Sequence, residues 1–317
     1  MIRLSRERSL LLVLLLAVIT VWWLALGELN EDLIITVLDV GQGDAILIQA
    51  PGGRTVLIDA GGRHDQESSA WDVGHDIVVP ALLARRVTHL DALIITHPHA
   101  DHIGGVPAVL TALPVHLLLG PMLGTDSATY ARILDLIEEK KIRHERAVEG
   151  QHLNLGRGID ADVLHPPDVR LRGTDDDMNN NSVVLRLAYE GVSVLLTGDL
   201  DAEAAESMAR SANTIRSTVL KVPHHGARES AVPAFIEAVS PKLAVISVGQ
   251  NNPWGHPTDE MLRELERVGA KVMRTDRDGA VTITIRPPRW WALGSSARAK
   301  NLRVAGDVSM VGVGEGQ

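Results

Sequence analysis

The chain has 317 residues, of which 45% are hydrophobic and 22% charged, a balance typical of a globular protein with one large or two small domains. Its formal net charge of −9 argues against a basic surface that binds nucleic acid through the phosphates, although it does not exclude a nuclease whose metal ions contact the phosphate. Because the chain contains no cysteine, disulfide bonds and thiolate metal sites are excluded.

The amino-terminal residues have the pattern of a membrane or export segment. An apolar run at residues 9–27 follows three arginines and is long enough to cross a bilayer as a helix, which takes roughly 20 residues. Residues 1–30 are therefore predicted to be an uncleaved signal anchor or a cleaved signal peptide. The anchor is favoured because Trp22 and Trp23 are typical of the membrane interface. In both cases the rest of the chain is expected outside the cytoplasm, either membrane-anchored or secreted.

The chain from residue 31 to residue 288 alternates apolar, β-branched segments with amphipathic ones. Strands are predicted at 34–41, 45–50, 54–62, 90–97, 115–120, 182–189, 192–199, 218–226, 243–249 and 280–287. Helices are predicted at 76–86, 104–113, 129–141, 202–211, 231–240 and 258–269. This pattern indicates an α/β (α+β) fold of two sheets packed together with helices outside. The Gly-, Ser- and Ala-rich tail, 289–317, is predicted to be disordered.

A dense group of potential metal ligands ends the strand predicted at 90–97. His97, His99, Asp101 and His102 lie within six residues, and on a loop at a strand end their side chains can converge. Imidazole nitrogens and carboxylates are suitable ligands for zinc, manganese or iron. The chain has 13 histidines, so chance pairs are common, but this density with an interleaved aspartate is not. The group predicts a metal-dependent hydrolase site.

Three shorter clusters also lie beside predicted strands. Asp199 ends one strand, where it either binds a metal or caps the following helix. The pair His224 and His225 ends another strand and is either a ligand pair or part of a solvated loop. The asparagines at 179–181 precede a strand and are equally consistent with a turn. Taken together with the histidine-rich group, the clusters favour one shared site.

These motifs resemble those of a known family. HPHADHIGG at 97–105 is similar to the HxHxDH signature of the metallo-β-lactamase fold. The set DVGQGDAILIQ, LIDAGG, NNNSVVLRL, LLTGD, KVPHHG and GHP, in that order, resembles the hydrolase domain of ComEC-type competence proteins. The resemblance covers residues 34–286 and implies an αββα sandwich with a metal site at one sheet edge. It also implies hydrolysis by a metal-bound hydroxide and, for the ComEC branch, degradation of one DNA strand during uptake.

The resemblance further implies two divalent ions, zinc or manganese. The implied ligands are His97 and His99 for the first ion, Asp101 and His102 for the second, and Asp199 as a bridge between them. Either His224 or His225 would complete the second site. If only one ion binds, Asp101 would instead orient or deprotonate the nucleophile. The residues implied to orient ligands or water are Asp44, Asp59 and His256.

One stretch departs from the wider superfamily, most members of which supply another histidine between the HxHxDH box and Asp199. This chain has Asn179, Asn180 and Asn181 there, as ComEC-like chains do. Because an amide oxygen is a weak zinc ligand and suits a harder ion, the first site is expected to be weaker or to hold manganese. The alternatives for a displaced ligand are His144, His152 and His165.

The substrate class is less constrained, since two metal ions suit phosphodiesters, lactones, thioesters and β-lactams alike. Lys221, Arg228 and Arg274 are candidates for contact with a phosphate, although each taken alone is better explained as a surface charge. The resemblance favours a nuclease or phosphodiesterase acting on single-stranded DNA. The alternatives are a lactone or ester hydrolase and a non-catalytic metal-bound module. Because a single membrane segment leaves no room for a channel, a role in DNA uptake would require a separate channel protein.

Overall fold

The computed structural model describes residues 6–27, 31–63, 71–124, 127–156, 158–211, 215–287, 302–306 and 310–311. The helices are α1 (Arg6–Gly27), α2 (Val79–Ala84), α3 (Ala100–Ile103), α4 (Val106–Ala112), α5 (Ala128–Lys140), α6 (Ala202–Arg210), α7 (Pro233–Val239), α8 (Asp259–Arg267) and α9 (Thr275–Asp278). A π-helical turn at Gly74–Val78 and short 3₁₀ helices at Asn179–Asn181 and Pro223–Gly226 complete the helical elements of these ranges.

The strands form two sheets. They are β1 (Leu33–Val37), β2 (Ile46–Gln49), β3 (Thr55–Ile58), β4 (Ala92–Ile94), β5 (Leu117–Gly120), β6 (Arg143–Arg146), β7 (Asp160–His165), β8 (Val184–Tyr189), β9 (Val192–Leu196), β10 (Val219–Lys221), β11 (Leu243–Ile246), β12 (Lys271–Arg274), β13 (Val281–Ile285), β14 (Leu302–Gly306) and β15 (Met310–Val311). The first sheet has the order β15-β14-β13-β1-β2-β3-β4-β5-β6, and the second has the order β12-β11-β10-β9-β8-β7.

Three apolar clusters separate four layers. One cluster lies between the two sheets and contains Ile35, Val194 and Ile283. A second lies between the first sheet and its helices, and a third, around Phe235, lies between the second sheet and its helices. Every residue of β11 is buried because the strand is covered on both faces, whereas β13 buries only alternate residues. The αββα sandwich predicted from the motifs is thus confirmed.

The layers bring the motif-bearing loops to one edge. Strands β3, β4 and β5 are parallel in the first sheet, and β9, β10, β11 and β12 are parallel in the second. The carboxyl ends of parallel strands lie at the same edge of a sheet, where loops can carry ligand groups. Asp59 follows β3, the histidine-rich group follows β4, Asp199 follows β9 and the pair His224–His225 follows β10.

The two ends of the chain differ from expectation. The tail was predicted to be disordered, yet β14 pairs antiparallel with β13 and Val304 packs into the core between the sheets. A short apolar alternation, Leu302 and Val304, explains this strand inside a segment whose composition is Gly-, Ser- and Ala-rich. The rest of 289–317 lies outside the described residues.

The predicted membrane segment is not supported. Helix α1 covers all of residues 9–27, and the surroundings of its side chains are described at residue 11 and residues 13–22. Among the described residues, no helix combines the length and the apolar character needed to cross a membrane.

Candidate metal centre

Four side chains from three segments that follow strands β4, β9 and β10 converge at the common edge of the two sheets. The ligand atoms of Asp101, His102, Asp199 and His225 all lie within 4.8 Å of one another. The Oδ2 atom of Asp199 is at their centre, 3.0 Å from Nε2 of His102 and 3.3 Å from Nε2 of His225. Nε2 of His225 is also 3.3 Å from Oδ2 of Asp101. The sequence left the choice between His224 and His225 open, and in the structure His225 is the one that joins this set.

Contacts at Nδ1 fix the ring orientations of His102 and His225. Nδ1 of His102 lies 2.7 Å from Oδ2 of Asp59, which also accepts a hydrogen bond from the Thr96 hydroxyl. Nδ1 of His225 donates to the backbone carbonyl of Ser247 at 2.9 Å. Each ring therefore directs Nε2 toward Asp199, which is the arrangement that partners behind metal-binding histidines produce. Asp59 lies where the sequence resemblance implied a residue that orients a ligand.

His97 and His99 lie beside this set and form a pair of their own. Nε2 of His97 is 3.1 Å from Nδ1 of His99, and the ring of His97 packs 4.2 Å from that of His102. His99 and His97 precede α3, whereas Asp101 and His102 lie on it, so the group is not a simple loop. The pair is therefore adjacent to the set around Asp199 without being part of it.

His224 is oriented by Asp201, a residue that the sequence analysis did not identify. Its Nδ1 lies 2.8 Å from Oδ1 of Asp201, and its Nε2 is 4.0 Å from Oδ2 of Asp199. Both His224 and His225 have left-handed backbones, with φ of 48° and 54°. Such conformations cost energy in residues other than glycine and are found at sites where side chains must be aimed. The turn brings Nε2 of both consecutive rings to within 4.0 Å of the same oxygen, Oδ2 of Asp199.

Asp201 also organises the asparagine tract. It accepts hydrogen bonds from Nδ2 of Asn179 at 3.0 Å and from the Ser230 hydroxyl at 2.8 Å, in addition to its contact with His224. No local motif marked this residue, since an aspartate two positions after Asp199 resembles a helix cap. Its partners come from segments 22 to 29 residues away in the chain, and only the folded structure brings them together.

The three asparagines have different roles. Asn180 accepts a hydrogen bond from the Ala204 backbone and donates to Glu203, so it fastens the first turn of α6. Asn181 exchanges hydrogen bonds with the backbone of Leu171. Asn179 differs, because its amide oxygen is buried without a hydrogen-bond partner among the described residues. Asn179 also lines the cleft that contains Asp199 and His224. Only this asparagine is therefore positioned as a candidate ligand.

Replacing each of two asparagines by alanine separates these roles. We expect Asn181→Ala to lower the free energy of unfolding by about 1–3 kcal/mol, because it leaves buried backbone groups unpaired. We expect Asn179→Ala to have a smaller effect on stability and to weaken binding of one ion. Urea denaturation and metal titration of both variants check this. Equal loss of metal affinity in both would contradict the assignment.

The other histidines considered as displaced ligands lie elsewhere. His152 pairs with Asp162 on the surface, and His144 lies on β6 at the end of the first sheet. His165 is buried, and its Nε2 donates to the backbone carbonyl of Asn180 at 2.9 Å. Its role is to fasten the asparagine tract rather than to bind the ions. Burial lowers the pKa of His165 to about 4, so it remains neutral at pH 7.

This lowered pKa gives a pH-dependent stability. The unfolded chain binds a proton at the ordinary histidine pKa of 6.5, whereas the folded chain does so only near 4. The contribution of neutral His165 to the free energy of unfolding is therefore fully present above pH 6.5. It falls by about 3 kcal/mol as the pH drops toward 4. In His165→Gln, which retains a donor but cannot titrate, we expect this part of the pH dependence to disappear from urea denaturation curves. An unchanged slope in the variant would contradict it.

The three residues predicted as candidates for phosphate contact do not line the cleft that contains Asp199. Lys221 is fully buried beneath the site, where it pairs with Asp44 and lies 3.6 Å from Oδ1 of Asp199. Arg274 forms a two-point ion pair with Asp276. Arg228 lines an adjacent polar groove that shares Trp254 and His256 with the cleft, and it pairs with Glu260. Asp44 was expected to orient a ligand or water. It pairs with the Lys221 ammonium, and its Oδ1 lies 3.7 Å from Nδ1 of the candidate ligand His225.

The donor set fits a divalent cation. Nε2 of His225 and Oδ1 of Asp199 are buried and find no hydrogen-bond partner within the described parts of the chain. Burial would lower the pKa of His225, but the carboxylates of Asp199 and Asp101 raise it to about 9. Burial would likewise raise the pKa of Asp101, but His102 and His225 hold it below its ordinary value. Two carboxylates and two imidazoles thus attract positive charge, which a divalent ion supplies in exchange for protons.

His256 is the remaining predicted site residue. It lines the same cleft, and its ring lies 5.8 Å from that of His224. Burial and the neighbouring His224 lower the pKa of His256 to about 4, so it is neutral at pH 7. Its Nδ1 is buried and has no hydrogen-bond partner among the described residues.

Comparison with known proteins agrees with this geometry. The sequence matches the family described as the metallo-beta-lactamase superfamily over residues 38–250. It is similar to ComE operon protein 3 of Bacillus subtilis, with 33% identity over 80% of this chain and 34% of that protein. It is also similar to competence protein ComA of Neisseria gonorrhoeae, with 33% identity over 80% of this chain and 32% of that protein. Ribonuclease Z of Mycolicibacterium paratuberculosis is 27% identical over 56% of this chain and 64% of that protein.

The chain spans about a third of the length of the two relatives with the higher identity.

Proposed function

Because this chain belongs to the metallo-beta-lactamase superfamily, we propose that it is a metal-dependent phosphodiesterase that hydrolyses single-stranded DNA. The observation that carries the proposal is the buried set of Asp101, His102, Asp199 and His225, of which three members line an open cleft. The relatives support a nucleic-acid substrate, since one is named a competence protein and another a ribonuclease. The proposed biological role is strand degradation during DNA uptake, beside a separate channel protein.

The proposed ligand sets follow from the contacts described above. The ligands are His97 and His99 with Asn179 nearby for the first ion, and Asp101, His102 and His225 for the second, with Asp199 between them. When bound, two divalent ions supply a hydroxide near neutral pH and a positive field for an anionic transition state. An amide oxygen beside two imidazoles suits manganese better than zinc at the first position.

The chain's own groups orient the reactants. Asp59 and the Ser247 carbonyl hold the rings of His102 and His225, so these rings do not need to reorganise during the reaction. Asp101 reaches the cleft with 14% of its side chain exposed, and if only one ion binds we assign it instead the role of orienting the attacking water. We assign neutral His256 the role of a hydrogen-bond acceptor at the cleft wall.

A nuclease assay with the full chain tests the proposal. Single-stranded DNA, duplex DNA, RNA and bis-p-nitrophenyl phosphate are incubated with manganese or zinc. We expect the wild type to cleave single strands in a metal-dependent manner and His102→Ala to lose this activity. His152→Ala is the matched control, because that surface histidine pairs with Asp162 away from the site. Failure to cleave any phosphodiester with any metal would overturn the proposal.

Elemental analysis of the same proteins counts the bound ions, and we expect two at the site. An ion bound elsewhere must be subtracted from this count. The ligand atoms of His89, Asp91 and His116 also lie within 4.8 Å of one another, near the surface. Analysis of His116→Ala shows whether that group contributes to the count. An unchanged count in His102→Ala would contradict the ligand assignment.

A second candidate function is hydrolysis of an uncharged lactone or ester. It is favoured by the net charge of −9 and by the groove beside the site, whose described lining contains one basic residue, Arg63. A panel of lactones assayed with the same variants distinguishes the two. Faster metal-dependent turnover of a lactone than of every phosphodiester would replace the nuclease proposal.

An extracytoplasmic location is also proposed, and its support is the basic and then apolar pattern of residues 1–30 in the sequence. Fusion of a reporter that is active only outside the cytoplasm to the carboxyl terminus of the chain tests it. Reporter activity is expected, and activity only of a cytoplasmic reporter would contradict it.

A further inference from the structure

The domain has few aromatic side chains, and its two tryptophans are exposed. Between residues 31 and 288 there are one phenylalanine, two tyrosines and only two tryptophans, Trp71 and Trp254. Trp71 is 48% exposed and Trp254 is 51% exposed. A buried tryptophan removes a large apolar area from water. Leaving both of them half-exposed in a core built from aliphatic residues gives up this stabilisation, so a role at the surface is indicated.

Both tryptophans line the same groove beside the metal centre. The groove has a volume of about 700 Å³, and Val73 and Ile77 contribute apolar surface to it. This volume lies within the range of pockets that take small organic groups. The groove shares Asp101, Gln42 and Trp254 with the cleft that contains Asp199. A molecule bound at the cleft can therefore reach the groove that both tryptophans line.

Each tryptophan is carried by a structured segment. The loop that carries Trp254 is closed by Asn252, whose amide nitrogen donates to the carbonyls of Gly249 at 3.0 Å and His256 at 2.7 Å. The Asn252 amide oxygen accepts a hydrogen bond from the His256 backbone at 2.9 Å. Trp71 immediately precedes a turn in which Asp72 and Asp76 hydrogen-bond to each other's backbone. The backbone that supports both rings is thus held in place before a ligand binds.

The charges of the groove limit what its ligand can be. Arg63 is the basic residue of the described lining, and Asp39 and Asp101 are acidic. Contacts to phosphates through basic side chains therefore supply little of the affinity for a nucleic acid here. Stacking of bases on aromatic rings is the other main source of affinity for single strands, and it tolerates any sequence. A duplex cannot use it, because its bases are already stacked on one another.

Resting on the phosphodiesterase function, we propose that Trp71 and Trp254 form a stacking site for nucleobases that flank the scissile phosphodiester. The site selects unpaired strands over duplexes. The metal centre binds the phosphate, and the two indole rings bind the bases next to it.

A binding experiment on the full chain tests the stacking site separately from catalysis. Fluorescein-labelled oligothymidylate and an abasic strand of the same length are titrated in a buffer with chelator, so that neither probe is consumed. We expect the wild type to bind oligothymidylate about tenfold or more tightly than the abasic strand. In Trp71→Ala and in Trp254→Ala this preference is expected to fall about tenfold, and Trp71→Phe is expected to keep most of it.

Two exposed apolar residues outside the groove, Leu83 and Val169, provide matched controls. Leu83→Ala and Val169→Ala are expected to keep the preference of the wild type. A wild type that binds both strands equally would overturn the stacking site, as would alanine variants that keep the full preference. Binding of oligothymidylate through both tryptophans without cleavage under any metal would support the stacking site while overturning the phosphodiesterase.

Discussion

Replacement of Asp199 by asparagine is expected to lower phosphodiester hydrolysis by on the order of a thousandfold, since groups that act as one unit lose most of their effect together. Three histidine rings of the site converge on one oxygen of this side chain, Oδ2. It lies 3.0 Å from Nε2 of His102, 3.3 Å from Nε2 of His225 and 4.0 Å from Nε2 of His224. An asparagine keeps the shape of this contact but removes the negative charge.

The charge matters because Asp199 is the acid on which the histidines converge. Burial would raise its pKa, but His102 and His225 hold that pKa well below the ordinary value, so the side chain is a carboxylate at any working pH. Without it, two ions brought close together would repel each other with no anion between them. The variant is therefore expected to bind fewer ions as well as to lose turnover.

Two measurements check this prediction. Turnover of bis-p-nitrophenyl phosphate and of single-stranded DNA is compared in the wild type and Asp199→Asn at saturating manganese, and bound metal is counted in both. Asp162→Asn is the control, since Asp162 is an exposed aspartate paired with His152. Retention of more than a tenth of the wild-type turnover by Asp199→Asn would refute a bridging role.

Much of the fold and part of the site follow from local sequence. The period of apolar residues marks the strands, and the polar residues directly after β4, β9 and β10 mark the edge where they end. A group as dense as His97 to His102 identifies its chemistry without a structure. The same reasoning cannot assign partners, which depend on contacts across more than a hundred residues. The choice of His225 over His224 is such a case, since the contact with Asp101 determines it.

Residues that position other site residues through hydrogen bonds were the least predictable from the sequence. Asp201 aligns His224 and Asn179, yet in the sequence it is one acid among several before a helix. The three asparagines look equivalent as a run, and only their hydrogen bonds separate Asn179 from the two structural residues. Lys221 was assigned to the surface because lysine is almost always exposed, and its burial depends on two acids from distant loops.

The buried position of Lys221 gives the largest expected effect on stability. Its ammonium pairs with Asp44, donates to the Gly198 carbonyl at 3.1 Å and lies 3.6 Å from Oδ1 of Asp199. Burial would lower the pKa of Lys221, but Asp44 and Asp199 raise it, so the lysine remains charged. Removing one partner of a buried ion pair leaves an uncompensated charge, which costs about 3–5 kcal/mol. Lys221→Met is therefore expected to destabilise the fold by that amount.

The cause can be separated from simple loss of packing. If the uncompensated carboxylate is responsible, the double variant Lys221→Met with Asp44→Asn should recover much of the lost stability, because neither partner then carries a charge. Lys242→Met, at an exposed lysine, is the control and should change the free energy of unfolding by less than about 0.5 kcal/mol. Urea denaturation of the metal-free proteins measures all four. A double variant no more stable than Lys221→Met alone would mean that the uncompensated carboxylate is not the cause of the loss.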